Sequence, residues 1–256
     1  MTVPQNHFLR FMQRCAPLSR EEREALLQIQ SETITLASRE HLYRTGDRAE
    51  GIHVVNKGWL AFSRNLQNGR RQVMSLHLPG DMVGIADLAS PTVMGDLWAI
   101  GETEVGFIEK EAFGTFIDDH PRLAALMLIL GENEKQDCFE WVQAVGRMDA
   151  SEKLAFFLLD IHARLAMIDK AKERTFHMPM TQYEIGDYAG LTNVTVSKTF
   201  ARFQSEKLIR LAYGQVTLLD PERLKALAHC PERPRRVDMT WFPGGRDVSA
   251  EAVETA

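Results

Sequence analysis

The chain has 256 residues, 45% of them hydrophobic, and a formal net charge of -5, which is enough length for two domains and a connector with the composition of a soluble globular protein. That charge, with a pI near 5.9, does not mark a nucleic-acid binder, so any such contact must come from a local basic face. No stretch approaches the roughly 18 apolar residues of a membrane span, and MTVPQNHFLRFMQRC lacks the apolar core of a signal peptide, so a cytoplasmic protein without a membrane partner is expected.

Residues 1 to 17 offer an apolar patch, Phe8, Leu9, Phe11 and Met12, that suits a packing arm. A short helix is expected from Ser19, with Glu21, Glu22 and Glu24 near its start and Leu26, Leu27 and Ile29 facing a core, ending before Ser31. From Thr33 to Phe107 short β-type runs alternate with Gly46-Asp47, Gly51, Gly58, Asn68-Gly69 and Pro79-Gly80-Asp81. Turn signals spaced about 8 to 12 residues apart predict an antiparallel jelly-roll, with GIHVVNKGWLAFSRN and RRQVMSLHLPGDMVG as its clearest strands and Asn68-Gly69 near their hairpin. Such a roll also suits a cupin enzyme, but His41, His53 and His77 form no His-x-His pair, so no metal site is expected.

From Pro121 the period becomes helical. Leu123, Leu126, Leu130, Glu134, Asp137, Trp141, Ala144 and Met148 follow gaps of three and four, a heptad-like seam on an extended connector that would serve as the interface if the chain pairs with its own copy; the alternative is one amphipathic helix packed on the β-roll. Glu134 or Asp137 near a two-fold axis faces its own copy and weakens association, unless both turn outward. Cys15, Cys138 and Cys230 are far apart and give no disulfide framework or zinc spacing. Asp149-Ala150-Ser151 is the expected hinge. After it, SEKLAFFLLDIHARLAMI places Leu154, Phe157, Leu158, Ile161 and Leu165 on one apolar wall, followed by the charged loop DKAKERTFHMP.

The most informative stretch is MTQYEIGDYAGLTNVTVSKTFARFQSEKLIRL. Thr181 and Glu184 stand in capping-box order, Gly190 stops the first helix, and Thr192 caps a second in which Val196, Phe200 and Phe203 face inward. Asn193, Thr195, Ser197, Lys198 and Arg202 are left outward, and the bases Lys198, Arg202, Lys207 and Arg210 outnumber Glu206. This predicts a helix-turn-helix; two helices of an all-α domain with a solvated face are the alternative. Strands Leu208 to Leu211 and Gln215 to Leu219 around Tyr213-Gly214 then form a wing, and Asp220-Pro221-Glu222 opens a last helix. After Ala228 the Pro-, Gly- and charge-rich tail is expected to be mostly disordered.

TQYEIGDYAGLTNVTVSKTFARFQSEKLI resembles the DNA-binding segment of the Crp/Fnr family of bacterial transcription regulators, and glycine placement and element order extend the resemblance back to about Leu18. The resemblance implies an α+β protein: a β-roll sensor domain (1–120), a dimerisation helix (121–148), a winged helix-turn-helix (149–228) and a tail (229–256). It implies a homodimer bound to a palindromic site on double-stranded DNA, with RNA polymerase as partner if it activates. Phosphate contacts then fall to Thr181, Gln182, Thr192 and Arg202, and base contacts to Asn193, Val194, Ser197 and Lys198, with Thr195 on the same surface.

The chain departs from the family pattern at several of these positions. Val194 and Lys198 stand where relatives generally carry Glu and Arg, so the usual half-site is not expected. Ile85 stands at the position of the ribose-binding glutamate of cyclic-nucleotide-binding relatives, and Gly95-Asp96 at that of their phosphate-binding Arg-Ser. Cyclic AMP binding in the family's mode is therefore not expected. An Fnr-type iron-sulfur cluster needs four cysteine ligands and the chain has three. Haem stays open, with no motif that singles out one histidine or cysteine, and FixK-like relatives act with no cofactor evident in sequence. The expectation is a regulator and not an enzyme; the rival is a β-roll sensor or cupin-like enzyme whose C-terminal helices are a protein-interaction module.

Overall fold

A computed structural model describes residues 6–65, 69, 71–168, 171–172, 174–229 and 237–243. The N-terminal arm folds into helix α1 (His7–Cys15), whose first turn is capped by Asn6. Helix α2 (Arg20–Gln28) starts at Ser19 with a full capping box to Glu22, as the acid-rich start predicts. The jelly-roll follows as β1 (Glu32–Leu36), β2 (His41–Tyr43), β3 (Gly51–Asn65), β4 (Arg71–His77), β5 (Met82–Val83) and β6 (Asp96–Glu109), with a 3-10 turn at Ile85–Ala89. Of the expected Asn68-Gly69 turn, Asn68 lies outside the described residues.

Strands β3 and β6 pair along nearly their whole length, and every ladder is antiparallel. One end of β6 pairs with β1 and the other with β2, while β3 pairs with β5 and then β4. The β3–β6 ladder shifts register on either side of Lys57, where Gly58 has φ +75°. A Cβ there would lie 2.3 Å from the Glu102 carbonyl oxygen, so only glycine allows the bend. The bent ladder closes over Leu36, Val55, Leu60, Val83, Leu97, Ala99 and Val105, which come from both of its halves.

Beyond the roll, α3 (Lys110–Asp119) precedes the long helix α4 (Pro121–Arg147), which has proline at its start where no amide donor is needed. Sequence periodicity missed α3, whose ten residues follow β6 without a break. Arg122 of α4 donates to both Glu22 carboxylate oxygens at 2.6 and 2.7 Å, tying the start of α4 to α2 in a buried ion pair.

Met148 and Asp149 are extended, and Asp149 caps α5 (Ala150–Ala166) by accepting from the Ser151 and Glu152 amides. The expected hinge thus contains the first turn of α5. The charged loop contains two short strands instead, β7 (Ala171–Lys172) and β8 (Thr175–His177). The remaining elements are α6 (Gln182–Ala189), α7 (Asn193–Ser205), β9 (Ile209–Ala212), β10 (Gln215–Leu218) and α8 (Pro221–Ala228). Strands β7 and β8 extend the wing into a sheet of order β7-β8-β10-β9.

Within the tail, residues 237–243 pack on the chain. Met239 is buried among apolar residues of α1, α2 and α4. Residues 230–236 and 244–256 lie outside the described residues.

Candidate nucleic-acid interface

The turn between α6 and α7 is built as its residues require. The Thr181 hydroxyl and amide both donate to Glu184 Oε2, at 2.9 and 2.7 Å, and the Glu184 amide donates back to Thr181 Oγ1 at 3.3 Å. Gly190 ends α6 with φ +64°. At Gly186 a Cβ would lie 2.6 Å from the Leu191 carbonyl oxygen, so a side chain there would push the two helices apart. Thr192 then accepts from the Thr195 amide at 3.1 Å and starts α7. Val196, Thr199, Phe200 and Phe203 bury the inner face of α7 against α5 and the wing.

The opposite face of α7 is open. Val194 is 54% exposed, and Ser197 and Lys198 are exposed beside it; Asn193 and Thr195 are half-buried at the first turn. Thr181 and Gln182 at the start of α6, and Thr192 at the start of α7, lie at exposed helix N-termini, where backbone amides and the helix dipole favour phosphate.

Arg202, expected to contact phosphate, also makes contacts within the chain. Its guanidinium donates to Ser151 Oγ of α5 and lies 3.7 Å from Glu206, so it braces α7 on the domain. Sequence reasoning passed over Tyr213 as a contact: it is fully exposed at the wing tip, in the left-handed region with φ +51°. Arg210 is exposed on β9 of the same wing.

The long helix presents a different stripe from the predicted seam. Leu123, Leu126, Trp141 and Ala144 are buried against their own chain, Leu130 and Met148 are partly covered by it, and Glu134 and Asp137 line a cavity. The apolar residues left in solvent are Leu128 (70% exposed), Phe139 (56%) and Val142 (63%). With exposed Glu132 and Lys135 between them, joined by a 2.7 Å ion pair, they keep gaps of four and three. Both stripes have the same period, and burial by the β-roll and α5 separates them.

The DNA-binding half is docked on the β-roll. Arg71 of β4 donates to Asp187 of α6 at 2.8 Å, and Gln72 to the Asp187 carbonyl at 2.7 Å. Trp141 of α4 stacks on Tyr188 of α6, with centroids 4.2 Å apart and planes within 8°. Arg164 of α5 donates to Asp81 at 2.5 Å and to the Leu76 carbonyl at 2.8 Å. Around these contacts lies a cavity of about 520 Å³ whose walls come from α1, the β4–β5 turn, α4, α5 and α6.

Glu134 lines the mouth of this cavity and is open to solvent on one side. Burial, and then nearby Asp81, push its carboxyl up to about 7, against the pull of Arg164. Between its ordinary 4.5 and about 7 the folded chain holds a proton that the unfolded chain releases, so stability falls as pH rises through that window. Glu134→Gln removes this penalty. The variant is expected to melt higher than the parent at pH 8, with the gap closing as pH falls towards 5; an equal gap at both pH values in thermal unfolding contradicts the assignment.

In the roll, the Phe62 ring lies 2.3 Å from where a Cβ on Gly95 would stand, so Phe62 packs directly on that glycine. Asp96 accepts from the Thr45 amide and hydroxyl, both at 2.9 Å, and these bonds hold its carboxyl below the usual range although its partial burial raises it. His53 and His77 are buried and pushed down to about 4 by loss of hydration, so both are neutral at physiological pH. Among the described residues, no group of three or more His, Cys, Asp or Glu is placed to hold a metal. Cys15 is buried, Cys138 is exposed, and Cys230 lies outside the described residues.

A β-roll joined by a long helix to a winged helix-turn-helix defines a class of sensor-coupled DNA-binding regulators. The Crp-like helix-turn-helix domain family matches residues 152–227 and the cyclic nucleotide-binding domain family residues 33–120. The chain is 31% identical over 233 residues to the nitrogen fixation regulation protein FixK of Bradyrhizobium diazoefficiens, covering 89% of this chain and 97% of that one. It is 32% identical to the transcriptional activatory protein AadR of Rhodopseudomonas palustris, over 83% of this chain and 86% of that one. The solved structure of FixK2 from Bradyrhizobium japonicum superposes with a TM-score of 0.70 at 26% identity, covering 78% of this chain and 98% of that one. The chain belongs to the Crp/Fnr family of transcription regulators. No helix among the described residues is long and apolar enough to cross a membrane.

Proposed function

We propose that the protein is a cytoplasmic homodimer that binds a palindromic duplex and controls transcription without a cyclic nucleotide, an iron-sulfur cluster or an enzymatic step. The observation that carries this reading is the open face of α7, where Val194, Ser197 and Lys198 project from a helix fixed by two capped N-termini. Two such helices in successive major grooves, about 34 Å apart, read two half-sites. The stripe Leu128, Phe139 and Val142 supplies the apolar contact between copies. Gln182, Thr181 and Thr192 position the phosphate backbone, and Asn193, Val194, Ser197 and Lys198 meet base edges. Val194 suits a thymine methyl and Lys198 a guanine acceptor edge.

The roll's residues do not fit a cyclic nucleotide. Ile85 has no group for ribose hydroxyls, and Asp96, committed to Thr45, sets a carboxylate where a phosphate needs a cation. Control then passes through the junction that docks α6 on β4. AadR is named a transcriptional activatory protein, and activation here would add RNA polymerase as a partner. Salt dependence tests the reading against a β-roll enzyme with an interaction module. Duplex affinity should fall steeply, by about 10³-fold or more between 50 and 200 mM salt, if six or more phosphates are neutralised; a flat dependence contradicts it.

A further inference from the structure

The segment 237–243 lies beyond both family matches, which end at residues 227 and 120. Met239 is only 2% exposed within a cluster that includes Phe8, Met12, Leu18, Leu26, Leu123 and Leu126, and Val237 and Phe242 pack partly against the same cluster. The Val237 amide donates to the Cys15 carbonyl at 2.8 Å. A tight local turn holds this pose: Asp238 Oδ1 accepts from the Thr240 amide and hydroxyl at 2.9 and 2.7 Å, and the Phe242 amide donates to the Met239 carbonyl at 3.1 Å. Met239 points inward while Trp241 is 62% exposed.

We propose that residues 237–243 are an intramolecular strap that ties the DNA-binding domain to the N-terminal helices. Helix α8 packs on α5 and ends at Ala228, whereas Met239 belongs to the apolar cluster shared by α1, α2, α3, α4 and strands β3 and β6. From 229 to 237 the chain reaches at most about 26–29 Å. Covalent attachment to α8 through residues 229–236 raises the segment's local concentration, and one buried methionine, a half-buried phenylalanine and one backbone hydrogen bond hold it in place. The same smallness makes it releasable. Any rotation of the winged domain about Met148 and Asp149 that exceeds this reach must first extract Met239. The strap therefore favours the arrangement in which α6 is docked on β4, and anything that covers the site of Met239 frees the domain.

The test uses the full chain with Cys138→Ser and Cys230→Ser, spin-labelled at the exposed positions Gln28→Cys and Pro243→Cys. One narrow distance distribution is expected, broadened by Met239→Asp and restored by Met239→Leu. A broad distribution in the parent, or one that Met239→Asp leaves narrow, overturns the strap; so does the same narrow distance between singly labelled chains mixed as dimers, which would place the tail on the partner. The coupling rests on the DNA-binding reading and is measured separately. Met239→Asp is expected to change duplex affinity at least about fivefold, with Met239→Leu close to the parent, and equal affinities overturn the coupling. If no chain binds duplex, the DNA-binding reading fails while the distances still decide the strap.

Discussion

Phe139→Asp is expected to leave the fold intact and split the dimer, giving a folded monomer by sedimentation equilibrium. It should lower affinity for a palindromic duplex about 10²-fold or more, because each half-site then binds alone. Phe139 is 56% exposed in the protomer, between Lys135 and Val142 on the open stripe of α4, so a carboxylate costs little there before association. In a symmetric seam it meets apolar surface and its own copy, and an unpaired charge removed from water is expensive. Leu126→Asp is the contrasting variant. Leu126 is 1% exposed and packs with Leu123 and Phe116, so this change should unfold the protomer before it affects association. A Phe139→Asp chain that stays dimeric contradicts the placement of the interface.

Lys198→Ala should lower specific duplex affinity by about 1–3 kcal/mol and relax the preference at one base pair of each half-site. Lys198 is exposed one helical turn from Val194, on the open face of α7. Loss of affinity with no change in sequence preference would make it a phosphate contact; no change in either removes it from the interface. Arg202→Ala is expected to act differently. Its bond to Ser151 joins α7 to the start of α5, so the variant should lose thermal stability along with affinity for every sequence.

Local chemistry made the helix-turn-helix legible in sequence. A threonine followed three residues later by a glutamate, a glycine with positive φ, and a second threonine each specify one backbone event, and all three occur where expected. The wing was equally plain, because Tyr213-Gly214 turns between two apolar runs. Strands β7 and β8 were not, since two and three residues in a charged stretch have no period to detect. The division of α4 into a covered and an open apolar stripe was not legible, for a more instructive reason. Helix α4 is apolar on two faces, and periodicity cannot say which one the β-roll covers. Arg202 looked like a free cation on a basic helix, and Ser151, 51 residues away in the chain, gave no local sign of holding it. The tail's composition concealed one methionine that joins the apolar cluster of the N-terminal half.

The central claim is that two copies of α7 read a symmetric duplex without an added effector. Selection of binding sites from a random duplex library with the purified protein tests this most directly. Recovery of a palindrome with half-site centres about one helical turn apart is the predicted result, with preferences that Val194 and Lys198 variants alter. Recovery of no common sequence at low salt, from a folded dimer, would contradict it.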